Sequence, residues 1–389
     1  MKVIAVADSD SYLKWSLATL RRLPPRHTST QLVIDSPVRP SARQREAAGH
    51  DRLEPLGYGA LLRRIEADRP DVVLLAGTGP VVAALTDHRM FRRPDRPVLV
   101  SGLPGISIPA TSRAVSARAG CDLLVLHSHR EIAAFTPLAA QAAPELRLGL
   151  ARLPFLPTAP AGHPSTDGST IIFAAQARVP PGRGQREEVL RALAATEGAV
   201  VKLRAGDREQ QTHREQWPYP LVMDDLVRRG RLAAGSVPFV HGSMHDALAG
   251  AFALATVSST AALEAVALGL PILVLADFGV SAEMINLMFA DSGCLGTLDD
   301  LVHRRFHTPD PRWLAANYLH DPRDDDWLER LDELLAVRAA GGLRAPRVTA
   351  PWRTRVRRRL RLLPGARSRR ASPGRDRTAR GRPLRRRPG

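Results

Sequence analysis

Ala255-Thr-Val-Ser-Ser-Thr-Ala-Ala-Leu-Glu-Ala-Val-Ala-Leu-Gly-Leu-Pro-Ile-Leu-Val-Leu275 reads as the end of a strand, the start of a helix and the next strand. Ser258, Ser259 and Thr260 fall where the helix begins, so their hydroxyls and the unpaired N–H groups of the first turn offer an anion cradle, aided by the helix dipole. Glu264 follows one turn after Thr260, on the same face. A phosphate cradle with a carboxylate just behind it suits a nucleotide-sugar, with diphosphate at the helix N-terminus and ribose hydroxyls on the carboxylate. The same residues also describe an ordinary capped helix in an α/β sheet.

Outward from this stretch, short apolar runs alternate with segments of helical period, the pattern of parallel sheets covered by helices. The first half predicts strands over 2–7, 31–35, 71–76, 97–101 and 122–127, with helices over 12–23, 58–67, 111–119 and 130–140. Residues 153–168 carry four prolines and no clear period, which predicts a linker. A second series then predicts strands over 170–175, 199–204, 236–240, 252–257 and 271–275. Helices are expected over 185–195, 244–249, 261–268, 299–305, 311–318 and 324–339. The expected organisation is two doubly wound, Rossmann-like domains facing a cleft, 1–152 and 169–342, followed by an Arg-rich, largely disordered tail over 343–389. Ligands of open α/β sheets collect at the carboxyl ends of the strands, so the cleft is the expected site.

The net charge of +17 is localised. From Arg344 onward there are eighteen Arg and one acid, Asp376, a sum of +17, so residues 1–343 are neutral overall. The tail predicts a polyanionic partner and disorder from about Ser368. Within it, residues 352–363 interleave apolar and Arg residues as a helix lying on anionic lipid would, and so would a solvated extension. Nucleic acid is not the expected partner. No apolar run is long enough to span a bilayer and the N-terminus does not read as a signal peptide, so the expected location is the cytoplasm, at the inner face of the plasma membrane if the tail binds there. Cys121 and Cys294 stand apart with no Cys/His cluster, which predicts buried thiols and neither a disulfide nor a metal site.

Residues 231–248, then 253–265 and Gly269-Leu-Pro-Ile-Leu, resemble the donor half of GT-B-fold glycosyltransferases. The Ser-Ser-Thr-x-x-Leu-Glu-Ala-x-x-x-Gly-x-Pro form is similar to that of capsule-polysaccharide transferases and of sugar-nucleotide 2-epimerases. With Lys202-Leu-Arg-Ala, Gln211-Thr-His-Arg-Glu215 and Asp277-Phe-Gly-Val-Ser281, the chain from 1 to about 335 looks like a family of glycosyltransferases of high-GC Gram-positive bacteria. The resemblance implies a nucleotide-sugar on the C-terminal domain and a glycan or lipid-linked acceptor on the N-terminal one, with no further cofactor. Ser258, Ser259 and Thr260 would hold phosphates, Glu264 the ribose, and the backbone around Phe239 and Val240 the base. Core packing is the competing reading of Phe239.

Sugar transfer to a hydroxyl needs a base near the acceptor and positive charge on the departing diphosphate. Lys202 and Arg204 share one face at the end of a strand, and Lys202 is one of three lysines against fifty-three arginines. His213, in a polar and aromatic loop, is a further donor-side candidate. Asp277 follows a strand and reads as a sugar-hydroxyl contact or an exposed turn acid. For the base the candidates are Asp8, at the end of the first strand, and His127, at the end of the fifth, where a histidine more often bonds a backbone carbonyl. Asp10 reads as a helix N-cap, and Asp8-x-Asp10 is misplaced for a metal-binding pair. The glycine turns at Gly77–Gly79 and Gly102–Gly105 give acceptor room or tight turns rather than a dinucleotide fingerprint. Two other outcomes stay open: a 2-epimerase-like isomerase, and a non-catalytic polyanion binder acting through its tail.

Overall fold

The computed structural model describes residues 1–156, 169–203, 215–345, 352–360 and 362. Its first half runs β1 (Lys2–Ala7), α1 (Asp10–Arg21), β2 (Thr28–Val33), α2 (Ala42–Ala47), α3 (Tyr58–Asp68), β3 (Val72–Ala76), α4 (Gly79–Thr86), β4 (Val98–Gly102), α5 (Ser112–Ser116), β5 (Leu123–Leu126), α6 (His129–Ala142) and β6 (Arg147–Leu150). These strands form one parallel six-stranded sheet, ordered β2-β1-β3-β4-β5-β6. Strands β3, β4 and β5 are buried at every position, which is why they read as unbroken Val/Leu runs rather than alternating ones.

The second half contributes β7 (Ile171–Ala174), α7 (Arg183–Ala195), β8 (Ala199–Lys202), α8 (Tyr219–Arg228), β9 (Phe239–Val240), α9 (Met244–Leu248), β10 (Ala253–Thr256), α10 (Ala261–Ala267), β11 (Ile272–Leu275), β12 (Leu295–Gly296), α11 (Leu298–Val302) and α12 (Pro311–Ala316). Its sheet is also parallel and six-stranded, ordered β12-β11-β10-β7-β8-β9. The quoted stretch is β10–α10–β11, with α10 ending at Gly269, whose φ of +79° closes the helix.

Two expectations about the boundaries are corrected. Helix α13 (Trp327–Ala339) returns to the first sheet: Trp327, Leu331 and Leu334 pack with Val3, Val100 and Val125, and Asp326 accepts from the Leu150 N–H at 2.7 Å. The second unit therefore does not extend to residue 342. The basic segment is not detached either, because α14 (Trp352–Leu360) packs on α4 and Leu362 enters the first core. Most of the linker over 153–168, and the disorder expected from Ser368, lie outside the described residues. The linker's first residues, Leu153 and Leu156, are buried in the second core.

Candidate functional site

Strands β10, β7 and β8 are parallel neighbours in the second sheet, so their carboxyl ends lie at one edge, with the Ser258–Thr260 segment just beyond β10. Gln176, just beyond β7, donates from Nε2 to the Ser258 carbonyl at 2.7 Å. Of the three hydroxyls expected to bind phosphate, two are engaged locally. Ser258, 4% exposed, donates to the Ile285 carbonyl, and Ser259 accepts from the Ala261 N–H at 3.2 Å. The Ser259 N–H is held in turn by Thr256 Oγ1 at 3.2 Å. Thr260 is the N-cap residue of α10 but already has helical dihedrals, and its side chain makes no capping bond. The first-turn donors are thus largely satisfied within the protein. Across from Thr260 stands Gly105 of the first half, where a Cβ would lie 3.2 Å from the threonine Cγ2.

Glu264 gathers the charge of this region. Burial raises its carboxyl above the usual range, and His245, Lys14 and Lys202 oppose that rise. Lys202, at the end of β8, is 4% exposed and donates from Nζ to the Leu203 carbonyl at 2.8 Å. Burial lowers its pKa, the nearby Lys14 lowers it further, and Glu264 opposes both. Lys14 comes from α1 of the first half, where it pairs with Asp10 at 2.9 Å. Two of the chain's three lysines, from opposite halves, thus act on one carboxylate through its electrostatic field, while their own ammonium groups bond Asp10 and the Leu203 carbonyl. The sequence reading missed Lys14, although the scarcity of lysine that singled out Lys202 applies to it equally.

Of the base candidates, His127 is corrected to a structural role. It is 1% exposed, its Nε2 accepts from the Trp15 indole N–H at 2.8 Å, and its Nδ1–H donates to the Ala151 carbonyl at 2.7 Å. Both nitrogens are engaged and burial pushes its pKa down to about 4, so the ring is a fixed neutral connector between α1 and the segment after β6. Asp8 is fully buried at the end of β1. Its carboxylate accepts from the Thr78 N–H at 2.8 Å and hydroxyl at 2.5 Å, at the start of α4, and burial raises its pKa despite those bonds. Asp10 is not an N-cap; Ser9 holds that position and Asp10 is the first helical residue.

Phe239 packs on the second core, and Val240 gives its carbonyl to the Leu203 N–H at 3.0 Å. Asp277 is exposed, but its carboxylate accepts from the Leu298 N–H at 3.0 Å and so caps α11. Arg204 and His213 lie outside the described residues. Among the described residues, no three His, Cys, Asp or Glu are grouped to hold a metal.

Three buried ionic residues that the sequence did not flag tie the loops and the two halves together. Arg186 of α7 donates to the carbonyls of Gln176 (3.1 Å), Ala177 (3.0 Å), Pro180 (2.9 Å) and Trp217 (2.9 Å), and lies over the Tyr219 ring, fastening the loops beyond β7 and before α8. Arg118 binds Tyr12 (2.7 Å), the Gly77 carbonyl (3.0 Å) and Ser101 (3.2 Å) beneath the first half's strand ends. Glu131 of α6 accepts from the N–H groups of His127 (2.7 Å) and Ser107 (2.8 Å) and from the Tyr318 hydroxyl, joining the two halves. Periodicity cannot reveal such residues, because a surface arginine and a buried one look alike in sequence.

The model of a family described as "Putative glycosyltransferase (DUF6716)" matches residues 3–334. No curated protein matches the chain. Among solved structures, S. aureus MnaA in its co-structure with UDP aligns over 88% of this chain and 97% of its own, with 11% identity and a TM-score of 0.52. The UDP-GlcNAc 2-epimerase of Neisseria meningitidis, bound to UDP-GlcNAc, aligns over 86% and 100%, with 12% identity and a TM-score of 0.50. A protein of Listeria monocytogenes described as a "putative UDP-N-acetylglucosamine 2-epimerase" aligns over 89% and 99%, with 14% identity and a TM-score of 0.50. The likeness is one of fold: two parallel sheets in a GT-B-like α/β arrangement.

Proposed function

The chain belongs to the family described as "Putative glycosyltransferase (DUF6716)", and from that premise we propose that it moves a sugar from a nucleotide-sugar to a cell-envelope or capsule glycan acceptor, without a metal. What supports this reading is the half-buried Glu264 at the start of α10, within the electrostatic reach of Lys14, Lys202 and His245. A nucleoside diphosphate presents both things this cluster complements, an anionic diphosphate for the ammonium groups and ribose hydroxyls for the carboxylate. Thr260 would add a hydroxyl to a phosphate oxygen.

In transfer, the acceptor oxygen bonds to the anomeric carbon while the bond from that carbon to the diphosphate breaks. The acceptor's proton goes to a carboxylate, and the leaving diphosphate's charge is taken up by Lys14 and Lys202. Two ammonium groups at the diphosphate position do the work that a metal does elsewhere. In the Asp8-x-Asp10 pair, Thr78 engages one oxygen of Asp8 and Lys14 one oxygen of Asp10. Asp8 is the proposed base: its raised pKa suits proton acceptance, and its complete burial requires the cleft to open as the acceptor enters.

Calorimetric titration with UDP-, GDP- and CMP-sugars tests the reading, UDP first because a structure of the same fold holds it. One member should bind, and Glu264→Ala should weaken it by about tenfold or more, a charge-assisted contact to ribose being worth about 1.5–3 kcal/mol. Asp8→Asn should keep donor binding and lose turnover. Silence from the whole panel would sink the proposal. Conversion of the donor to its 2-epimer without acceptor would replace transfer by isomerisation.

A further inference from the structure

Helix α14 has two sides of opposite character. Its inner side packs on α4, with Arg358 3.8 Å from Asp87, and Leu362 just beyond it is 4% exposed within the first core. Its outer side carries Arg353, Val356, Arg357 and Leu360, all exposed, at the i, i+3, i+4, i+7 spacing of a single helical face. Among the described residues just three large hydrophobics are exposed, and two of them are here, Val356 at 44% and Leu360 at 53%. Apolar side chains left in water between arginines are costly unless something covers them.

We propose that this face of α14 docks on the anionic headgroup layer of a lipid bilayer. Charge complementarity names the occupant: the helix lies in the segment that carries all of the chain's excess of +17. The apolar pair then selects lipid over nucleic acid, because a phosphate backbone engages arginine but gives Val356 and Leu360 nothing to enter, whereas the boundary between headgroups and acyl chains accepts both. The helix has nine residues, and no described helix is long and apolar enough to cross a membrane, so the contact is lateral. Since α14 is seated on α4, docking fixes the orientation of the first half to the bilayer. The proposal stands independently of the sugar-transfer reading.

The test is co-sedimentation of the full chain with phosphatidylcholine vesicles with and without phosphatidylglycerol, with poly(U) RNA as a parallel ligand. The wild type should bind the anionic vesicles alone of the two. Val356→Ser with Leu360→Ser, which leaves every charge in place, should lower that binding about tenfold or more. Leu221→Ser, at the third exposed hydrophobic, should leave it unchanged. Binding of the double variant at wild-type strength would overturn the proposal by reducing the contact to unspecific attraction of the arginines. Equal binding to neutral vesicles, or binding to RNA but not to vesicles, would overturn it as well.

Discussion

His127 shows how burial decides the meaning of a titratable residue. Its ring is fixed by Trp15 on one nitrogen and the Ala151 carbonyl on the other, so protonation would break the Trp15 bond in a site that already disfavours charge. With a folded pKa of about 4 against 6.5, the unfolded chain binds more protons between those values. This group's contribution to stability is complete above pH 6.5 and is lost as the pH falls toward 4, roughly 3 kcal/mol in all. Urea unfolding at pH 7 and pH 4.5 should therefore cost the wild type more than His127→Gln, which has no proton to gain; parallel losses would refute the assignment. Ser258 and Asp277 carry the same lesson. Each was legible as a hydroxyl or carboxylate at a strand end, but Ile285 and Leu298, which engage them, are remote in sequence.

At the level of elements, the close packing of α1 over β4 sets a strict demand. A Cβ on Gly102 would lie 2.2 Å from Cζ2 of Trp15, a fully buried ring that also holds His127. Gly102→Ala should accordingly destabilise the protein by about 1–3 kcal/mol. Gly184→Ala, on a helix with open space around it, should be neutral or stabilising by up to about 1 kcal/mol. Chemical denaturation of the two variants checks both, and an undisturbed Gly102→Ala would mean that Trp15 moves freely. Most elements were legible from apolar runs and helical period, but α2, α4, α8, β6 and β12 were not. Trp217-Pro-Tyr-Pro reads as loop, yet Pro220 falls in the first turn of α8, where its missing N–H costs nothing. Strand β6 opens on an arginine and β12 is two residues long, so neither yields a run to detect.

On the scale of the whole molecule, the charge acting on Glu264 is drawn from both halves. Lys202 is held below its ordinary pKa by burial and by Lys14 arriving from the other sheet. If both contact the diphosphate, affinity for the nucleotide-sugar should fall on the alkaline side earlier than an ordinary lysine would impose, because a neutral amine no longer attracts phosphate. Lys202→Arg should move that loss to higher pH, and Lys14→Met should weaken binding at every pH while leaving the unfolding temperature of the free protein unchanged. Calorimetric titrations across pH measure all three, and a profile unaffected by either substitution would remove the lysines from the site.

Apolar run length and turn chemistry were enough to specify two parallel sheets, most of their helices and the β10–α10–β11 stretch with Glu264, because these depend on neighbours along the chain. The localisation of excess charge in the last residues was likewise a matter of counting. Tertiary structure alone decided that α13 returns to the first sheet and α14 to α4, that His127 is sealed while Asp8 is locked to Thr78, and that Lys14 of one half lowers the pKa of Lys202 in the other. Those outcomes rest on desolvation and on contacts between residues distant in sequence, 70 positions apart for Asp8 and Thr78 and 112 for Trp15 and His127, which no local pattern encodes.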